Sequence, residues 1–582
     1  MAEQVANQLK IDINNEPAVP SIAAVFLVNF DHRKGYTLEW HKSIDDLQLE
    51  GVVEFKSLPS GLHNVEEDLV YFIHDEYAGL SAFVNQPDQQ SDRAARMLAV
   101  GILVLLERGR IGRSWRHAET LKELARYAYQ IRTAWATLNA NRAQIDTPTN
   151  TTALEEYWEK YRQKPEERTP QTPRDPAADE PLQRPNGYTN SRSMSTATAY
   201  ISSHHSLTPH HPALTLMDSV KLFGPLIFPL YRAALLRKRI LIVTDAPVEF
   251  ACNLVYNLSI LSSIPKPVLS VLPEADVPII RLRPLFTVGV MDIARLEQEK
   301  AAGPRGSFIA CTTDDVLASK PDLYDVLVLL PKSEAQQAAT KVFPRIVFSS
   351  PELTKAFPKV SIKATRRDAH RLSHLLTTLR LLEHSDVAAT DSDVSSVLSA
   401  SSSYSVNKEV IEPSSWSRVA YNSMVWWASA GDRRTGFGEG EESESERDRA
   451  LMHGPEEESQ TREVAVVGFF QRMTATIFNT LASAIARVDG NDQSSERYRD
   501  EEEEESGTSP VVESTQEENQ ALLADQNEKA EVDINHEDMI EMCLDSWSAS
   551  DKKFVEELVQ LWWKREAVVR PASIECCGLR IL

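Results

Sequence analysis

Residues 22–30 (IAAVFLVNF) are apolar almost without interruption, which predicts a buried strand. A turn is expected at 32–35 (HRKG), and 36–40 read as a partner strand, so the chain opens on a hairpin. Residues 51–58 predict another strand, closed by Pro59-Ser60-Gly61. Two more are expected at 69–74 and 80–84, separated by a turn at 77–79, and a further one at 99–106. Over 117–131 the apolar period changes to that of a helix, with Leu121, Leu124, Ala125, Ala128 and Ile131 on one face. Residues 20–140 are therefore expected to form an antiparallel sheet with a helix packed on it.

Residues 141–210 are rich in Pro, Thr and charge and read as a mostly disordered linker, with one helix at 154–161. The pattern then becomes the most informative in the chain. Residues 221–249 (KLFGPLIFPLYRAALLRKRILIVTDAPVE) predict helix, buried strand, helix. Thr244 and Asp245 supply a capping signal, and Pro247 suits the first turn of a helix over 247–261. Strands follow at 285–288, 308–311 and 325–330, and helices at 291–299 and 364–383, with Thr312, Thr313 or Asp314 able to cap the helix after the second of those strands. Residues 211–385 thus predict a doubly wound α/β module around a largely parallel sheet. A Ser-rich linker (386–415) leads to a helical C-terminal part (416–582), with helices at 464–486 and 551–563 and disordered acidic segments at 432–460 and 490–535.

Charge narrows the partners. The 582-residue chain carries a net charge of −23, much of it in these segments, which argues against nucleic acid. Its five cysteines include no C-x-x-C pair and point to a reducing compartment. The first twenty residues lack the apolar core of a signal peptide, and no charge-free apolar run is long enough to span a bilayer, so a soluble cytoplasmic protein is expected.

Catalytic fingerprints are missing. No G-x-G-x-x-G, G-x-x-x-x-G-K-[ST] or G-x-S-x-G occurs. Asp245 and Pro247 make a poor phosphate turn, the first adding negative charge and the second removing an N–H donor. His204, His205, His210 and His211 lie close together, but without cysteine nearby they read as a solvated linker rather than a zinc site. Cys576 and Cys577 read as buried in a terminal strand. Val466, Phe470, Met473, Ile477, Leu481 and Ala484 share one helical face, read as core-facing, with a membrane or partner surface as the alternative. Trp426-Trp427 and Trp562-Trp563 read as core. Basic clusters at 108–116 (RGRIGRSWR) and 237–239 read as a solvated loop and a helix C-terminus, the alternative being contact with acidic lipid or protein.

Residues 57–64 (SLPSGLHN), then Glu66-Glu67-Asp68 and the Tyr71-Phe72 strand, resemble the N-terminal part of a DENN domain. Phe223-Gly224-Pro225 through Pro229, followed by 237–243, resemble its central segment, most like the LCHN branch in a fungal-type form with long acidic insertions. The resemblance implies a longin-like N-terminal module joined to an α/β DENN module and a helical C-terminal part. It further implies a guanine-nucleotide exchange factor for a Rab-family small GTPase in membrane traffic. Such a factor grips the emptied GTPase in a cleft between two lobes, with peripheral association at vesicle surfaces. Exchange needs neither cofactor nor metal, and no catalytic, cofactor-binding or metal residue is assigned. The GTPase-contacting positions are not carried by the quoted motifs. Two other readings stay open. One is a Rab-binding platform without exchange activity, with 395–405 as phosphate acceptors. The other is an enzyme with a pocket beyond the strand C-termini.

Overall fold

The computed structural model describes residues 19–31, 35–44, 47–61, 65–87, 95–106, 112–138, 151–164, 207–273, 280–332, 342–349, 361–384, 410–413, 415, 418–419, 446–451, 461–505, 531–570, 575–576 and 579–580. The opening run forms β1 (Ile22–Asp31), paired antiparallel with β2 (Gly35–Ser43). The strand expected at 51–58 is instead α1 (Val53–Ser57). Gly51 takes φ +82, the Glu54 carboxylate accepts from its N–H at 3.0 Å, and Val53 and Ser57 are buried one helical turn apart. This local turn chemistry outweighs the β-propensity of the two valines.

β3 (Glu67–His74), β4 (Tyr77–Pro87) and β5 (Ala95–Leu105) follow as an antiparallel meander. The turn expected at 77–79 lies earlier, at Asp75-Glu76, where Asp75 has φ +50. Gly79 is a strand residue facing Phe72, and a Cβ there would lie 2.2 Å from the Phe72 ring. It is glycine for close approach, not for turning. α2 (Ala118–Leu138) packs on β4 and β5. The helix expected at 154–161 is α3 (Thr152–Tyr161), and the chain just beyond it docks on β1, Gln163 N–H donating to Ile22 O at 2.9 Å.

The stretch Pro212–Leu235 is long and apolar enough to cross a membrane, but it is mostly buried as α4 (Leu216–Phe223) and α5 (Ile227–Leu235), broken at Gly224 with φ +55. The α/β module continues through β6 (Ile240–Val243), α6 (Glu249–Leu261), α7 (Lys266–Leu269), β7 (Arg283–Thr287), α8 (Ile293–Ala301), β8 (Phe308–Thr312), α9 (Asp315–Ala318), β9 (Val326–Leu329) and β10 (Arg345–Phe348). β6, β7, β8 and β9 run parallel, and β10 is antiparallel at the edge. Both modules share one ten-stranded sheet, ordered β10-β9-β6-β8-β7-β3-β4-β5-β1-β2.

The C-terminal part is helical and wraps this module through α10 (Arg366–His384), α11 (Arg462–Glu505), α12 (His536–Glu541) and α13 (Ala549–Trp563). Small strand pairs accompany them, β11 (Val532–Ile534) with β12 (Ala567–Val569) and β13 (Glu575–Cys576) with β14 (Leu579–Arg580). Two segments expected to be disordered are partly ordered. Residues 446–451 are helical, α11 runs through Glu505, and β11 begins at Val532. Residues 432–445, 452–460 and 506–530, most of the Ser-rich stretch and Trp426-Trp427 lie outside the described residues. The apolar face of α11 is core: Val466, Phe470, Met473, Ile477, Leu481 and Ala484 are all buried. Phe470 stacks on Phe228 at 5.7 Å, and the neighbouring Thr474 is also buried, bonded to Tyr231 Oη at 2.6 Å. Trp562 is buried as expected.

A buried charge cluster fastens these helices to α5. Arg232 of α5 donates both guanidinium arms to Asp368 of α10 at 2.9 and 2.7 Å and lies 3.3 Å from Asp551 of α13. Arg367 holds Asp448 at 2.7 and 2.9 Å, and Arg371 reaches Asp448, Asp368 and the Cys543 carbonyl. Burial pushes the Asp551 carboxyl up to about 7, against the pull of Arg232, while Arg232 and Arg371 hold Asp368 below the usual range despite its burial. Asp448 ties the 446–451 helix into this cluster: its carboxylate answers the buried guanidinium groups of Arg367 and Arg371. Asp448→Asn is expected to cost about 3 kcal/mol of unfolding free energy, read from urea titrations, whereas removing the exposed Lys300–Asp322 pair leaves the midpoint unchanged.

Candidate functional site

The modules meet where β3 runs beside β7, through the single antiparallel pair Phe72 and Phe286. Register along β7 and β8 shifts between Pro284 and Phe286, and Phe286 takes φ +58. This bulge turns a bulky side chain into the left-handed region, a cost of about 1 kcal/mol. Its ring packs 5.7 Å from that of Tyr71.

Beside this pair Asp68 of β3 caps α6 from across the junction. Its carboxylate accepts from Val248 N–H at 2.6 Å, from Glu249 N–H at 3.1 Å and from its own neighbour Leu69 at 2.8 Å. The cap expected from Thr244 and Asp245 is therefore supplied by a residue far upstream, because the helix begins only at Glu249, beyond the reach of Thr244. Burial pushes the Asp68 carboxyl up to about 7, opposed by those N–H donors. One consequence is chemical. The helix N-terminus that a doubly wound module would offer to a phosphate already holds an aspartate.

The loop after α1 completes the contact. Ser60 Oγ bonds the Asp314 carboxylate, which also accepts from Val290 N–H at 3.3 Å. Gly61 comes within 3.9 Å of Ala246, measured from the position its Cβ would take. Lys56 forms an ion pair with Asp292 at 2.9 Å and donates to Ile73 O at 2.7 Å. Ser60, Gly61, Asp68 and Tyr71, all in the N-terminal motif, therefore hold the modules in register. Residues 62–64 lie outside the described residues. Asp314, expected as a helix cap, sits at the N-cap of α9 but spends its carboxylate on Ser60 and Val290.

Around this seam lies an exposed apolar surface drawn from both modules. Phe55 is 44% exposed, Val290 48%, Met291 63% and Val316 49%. Phe55 packs edge-on against Tyr36 at 5.8 Å, and Tyr36 against Phe30 at 5.3 Å. Burial and the nearby Asp314 carboxylate both raise the Tyr36 hydroxyl pKa. Phe55 and Met291 are the chain neighbours of Lys56 and Asp292, so that ion pair ties the two halves of the patch together. A fixed apolar surface of this kind suits a protein partner. It was not legible beforehand, since its residues come from separate, individually unremarkable stretches.

Other expected features are placed elsewhere. The basic cluster 237–239 follows the C-terminal end of α5, as expected, and its charges are spent within the protein: Arg237 is buried over the Trp562 ring at 5.2 Å, Lys238 pairs with Glu557 at 2.6 Å and Arg239 with Asp325 at 2.7 Å. Part of cluster 108–116 lies outside the described residues, but Ser114–His117 forms a 3-10 turn with Trp115 buried. His211 is not solvated. It packs 4.9 Å from the Trp115 ring, and burial lowers its pKa to about 4. His210 bonds Glu119 at 2.7 Å, and His204 and His205 lie outside the described residues. Among the described residues no His, Cys, Asp or Glu cluster is arranged to hold a metal ion. Cys576 is in β13, while Cys577 lies outside the described residues. A pocket of about 390 Å³ opens beyond β6 and β9, lined by Asp218, Lys221, Thr244, Asp245, Phe250 and Leu330. With two carboxylates against one ammonium group, it is no anion cradle.

Comparison with known proteins agrees with this architecture. The family model described as DENN domain-containing protein 11 matches residues 25–340, across the junction. A domain of unknown function (DUF4484) matches 411–582. DENN domain-containing protein 11 of Xenopus laevis is 34% identical over 314 residues, covering 53% of this chain and 59% of the relative. The Danio rerio protein of the same name is 32% identical, covering 53% of each. The chain thus spans little more than half the length of these vertebrate relatives. Uncharacterized protein ANR2 of Saccharomyces cerevisiae is 23% identical over 511 residues, 82% of this chain and 86% of that one.

Asp68→Ala, leaving two buried N–H groups without an acceptor, is expected to cost about 2 kcal/mol at neutral pH. The pH dependence has a definite sign. Because the folded-state pKa of Asp68 is raised to about 7, the folded state binds the proton more tightly, and this group's contribution to stability falls as pH rises from about 4 to about 7. The stability advantage of the wild type over Asp68→Asn should shrink across that window and stay flat above it, as measured by denaturant titration at stepped pH.

Proposed function

The chain belongs to the DENN domain-containing protein 11 family, and on that premise we propose that it is a guanine-nucleotide exchange factor for a Rab-type small GTPase in membrane traffic. We further assign it to an LCHN-like branch with long acidic insertions, acting in the cytoplasm and peripherally on vesicle surfaces. The observation that carries the reading is the apolar surface of Phe55, Val290, Met291 and Val316, which both modules build across a rigid seam.

The physics of exchange fits such a surface. A factor accelerates GDP release by binding the nucleotide-free GTPase more tightly than the loaded form. That requires a shaped interface, not a nucleophile or a cofactor. Rigidity matters because a surface that yields to the loaded GTPase gains no preference for the empty one. Asp68, Ser60 and Lys56 provide it by cross-bracing the two modules.

The full chain is expected to accelerate mant-GDP release from at least one member of a Rab panel. Val290→Glu with Met291→Glu should lower that acceleration about tenfold or more while leaving the melting temperature unchanged, because both side chains are exposed. Failure of every Rab to respond sinks the exchange reading. Binding that is tightest for a GTP-loaded Rab would make the chain a recruiting platform instead.

A further inference from the structure

A larger groove, of about 890 Å³, lies at the other end of the parallel strands. Lys238 and Pro304, which line it, precede β6 and β8, whereas the junction surface sits beyond the carboxyl ends of β7 and β8. The opposite wall is the outer face of α13 together with β12. Leu236, Leu561, Ala567 and Val568 give the groove its apolar lining, and Val568 is 42% exposed.

Its charge is one-sided. Glu531, Glu556, Glu557 and Glu566 line the groove against Lys238 and Lys564. Glu557 is answered by Lys238 at 2.6 Å and by Lys553, one turn earlier on α13, at 3.7 Å. Glu531, Glu556 and Glu566 remain against Lys564, an excess of negative charge over an apolar strip. The backbone adds a further element: Glu566, Ala567 and Val568 line the groove consecutively, and among the described residues β12 pairs with β11 alone.

We propose that this groove docks a short, extended, cationic segment of a partner protein. Lysine or arginine side chains of the segment lie over Glu531, Glu556 and Glu566, and an alternate apolar side chain packs on Leu561 and Val568. The excess carboxylates attract such a segment over about 10 Å at moderate salt and repel an anionic lipid surface. Among the described residues β12 pairs only with β11, and a chain added beside it would be an extended backbone with alternating contacts. Since the groove is at the far end of the strands from the seam, its occupant is independent of whatever binds the apolar junction surface.

The probe is a fluorescein-labelled nonapeptide alternating lysine and leucine, titrated into the full chain and read by anisotropy. Controls replace its lysines with glutamate or its leucines with serine. Binding is expected in about 0.05 M salt and should weaken about tenfold by about 0.3 M. Glu556→Lys with Glu566→Lys should weaken it at least tenfold, and Val568→Ser severalfold. Neither change should alter nucleotide release. If the charge reversals lower the melting temperature, Glu556→Gln with Glu566→Gln replaces them, with a loss of about threefold expected. The proposal is overturned if the wild type does not bind, if the reversed variant binds as tightly, or if either control peptide matches the lysine–leucine probe.

Discussion

A buried carboxylate braces the junction of two modules within one ten-stranded sheet. Asp68 leaves β3, crosses the seam and ends α6, satisfying the N–H groups of Val248 and Glu249 while also holding Leu69. Desolvation raises its pKa, so the helix N-terminus does not gain a full buried charge without cost; the three donors offset part of that cost. The same atoms close the place where an α/β module of this winding would hold a phosphate. Structure and chemistry are therefore decided together: the module keeps the doubly wound form, and its helix terminus is used to join a neighbour.

Phe286 accepts a left-handed backbone so that its ring reaches Tyr71, and Lys56 is drawn into a nearly dry pairing with Asp292. These contacts are demanding because they fix the relative pose of α1 and the loop after β7. Phe55 and Met291, the exposed chain neighbours of Lys56 and Asp292, are held by that pose on the two sides of the pair. Were the modules free to swing, the patch would divide into two smaller apolar spots.

The C-terminal part is bound by a different balance. Apolar packing of Phe470 on Phe228 and of Trp562 near Arg237 supplies adhesion. The cluster of Arg232, Arg367 and Arg371 with Asp368, Asp448 and Asp551 supplies register, since each buried charge tolerates only a placement that finds its counter-charge. The region matched by the domain of unknown function thus contributes two of the three carboxylates that neutralise arginines in the α/β part and in α10. It is packed into the same core as the DENN-matched region rather than strung beside it.

Periodicity alone determined most of the elements: the hairpin at the start, the parallel strands 240–243, 308–312 and 326–329, and the core face of α11. These are local signals, because burial of a strand or helix face is written in the spacing of its own apolar residues. Only the tertiary structure decided the site. Asp68 and Val248 stand 180 positions apart, Ser60 and Asp314 254 apart, and neither partner carries a local mark of the other. The same limit explains the misplaced features. Residues 51–58 have the composition of a strand but the turn bonding of a helix, and 446–451 read as a solvated acidic run until two buried arginines claim Asp448. Charge and hydrogen-bonding capacity are properties of a residue, but whether they face water or one another is set by chain segments that meet only on folding.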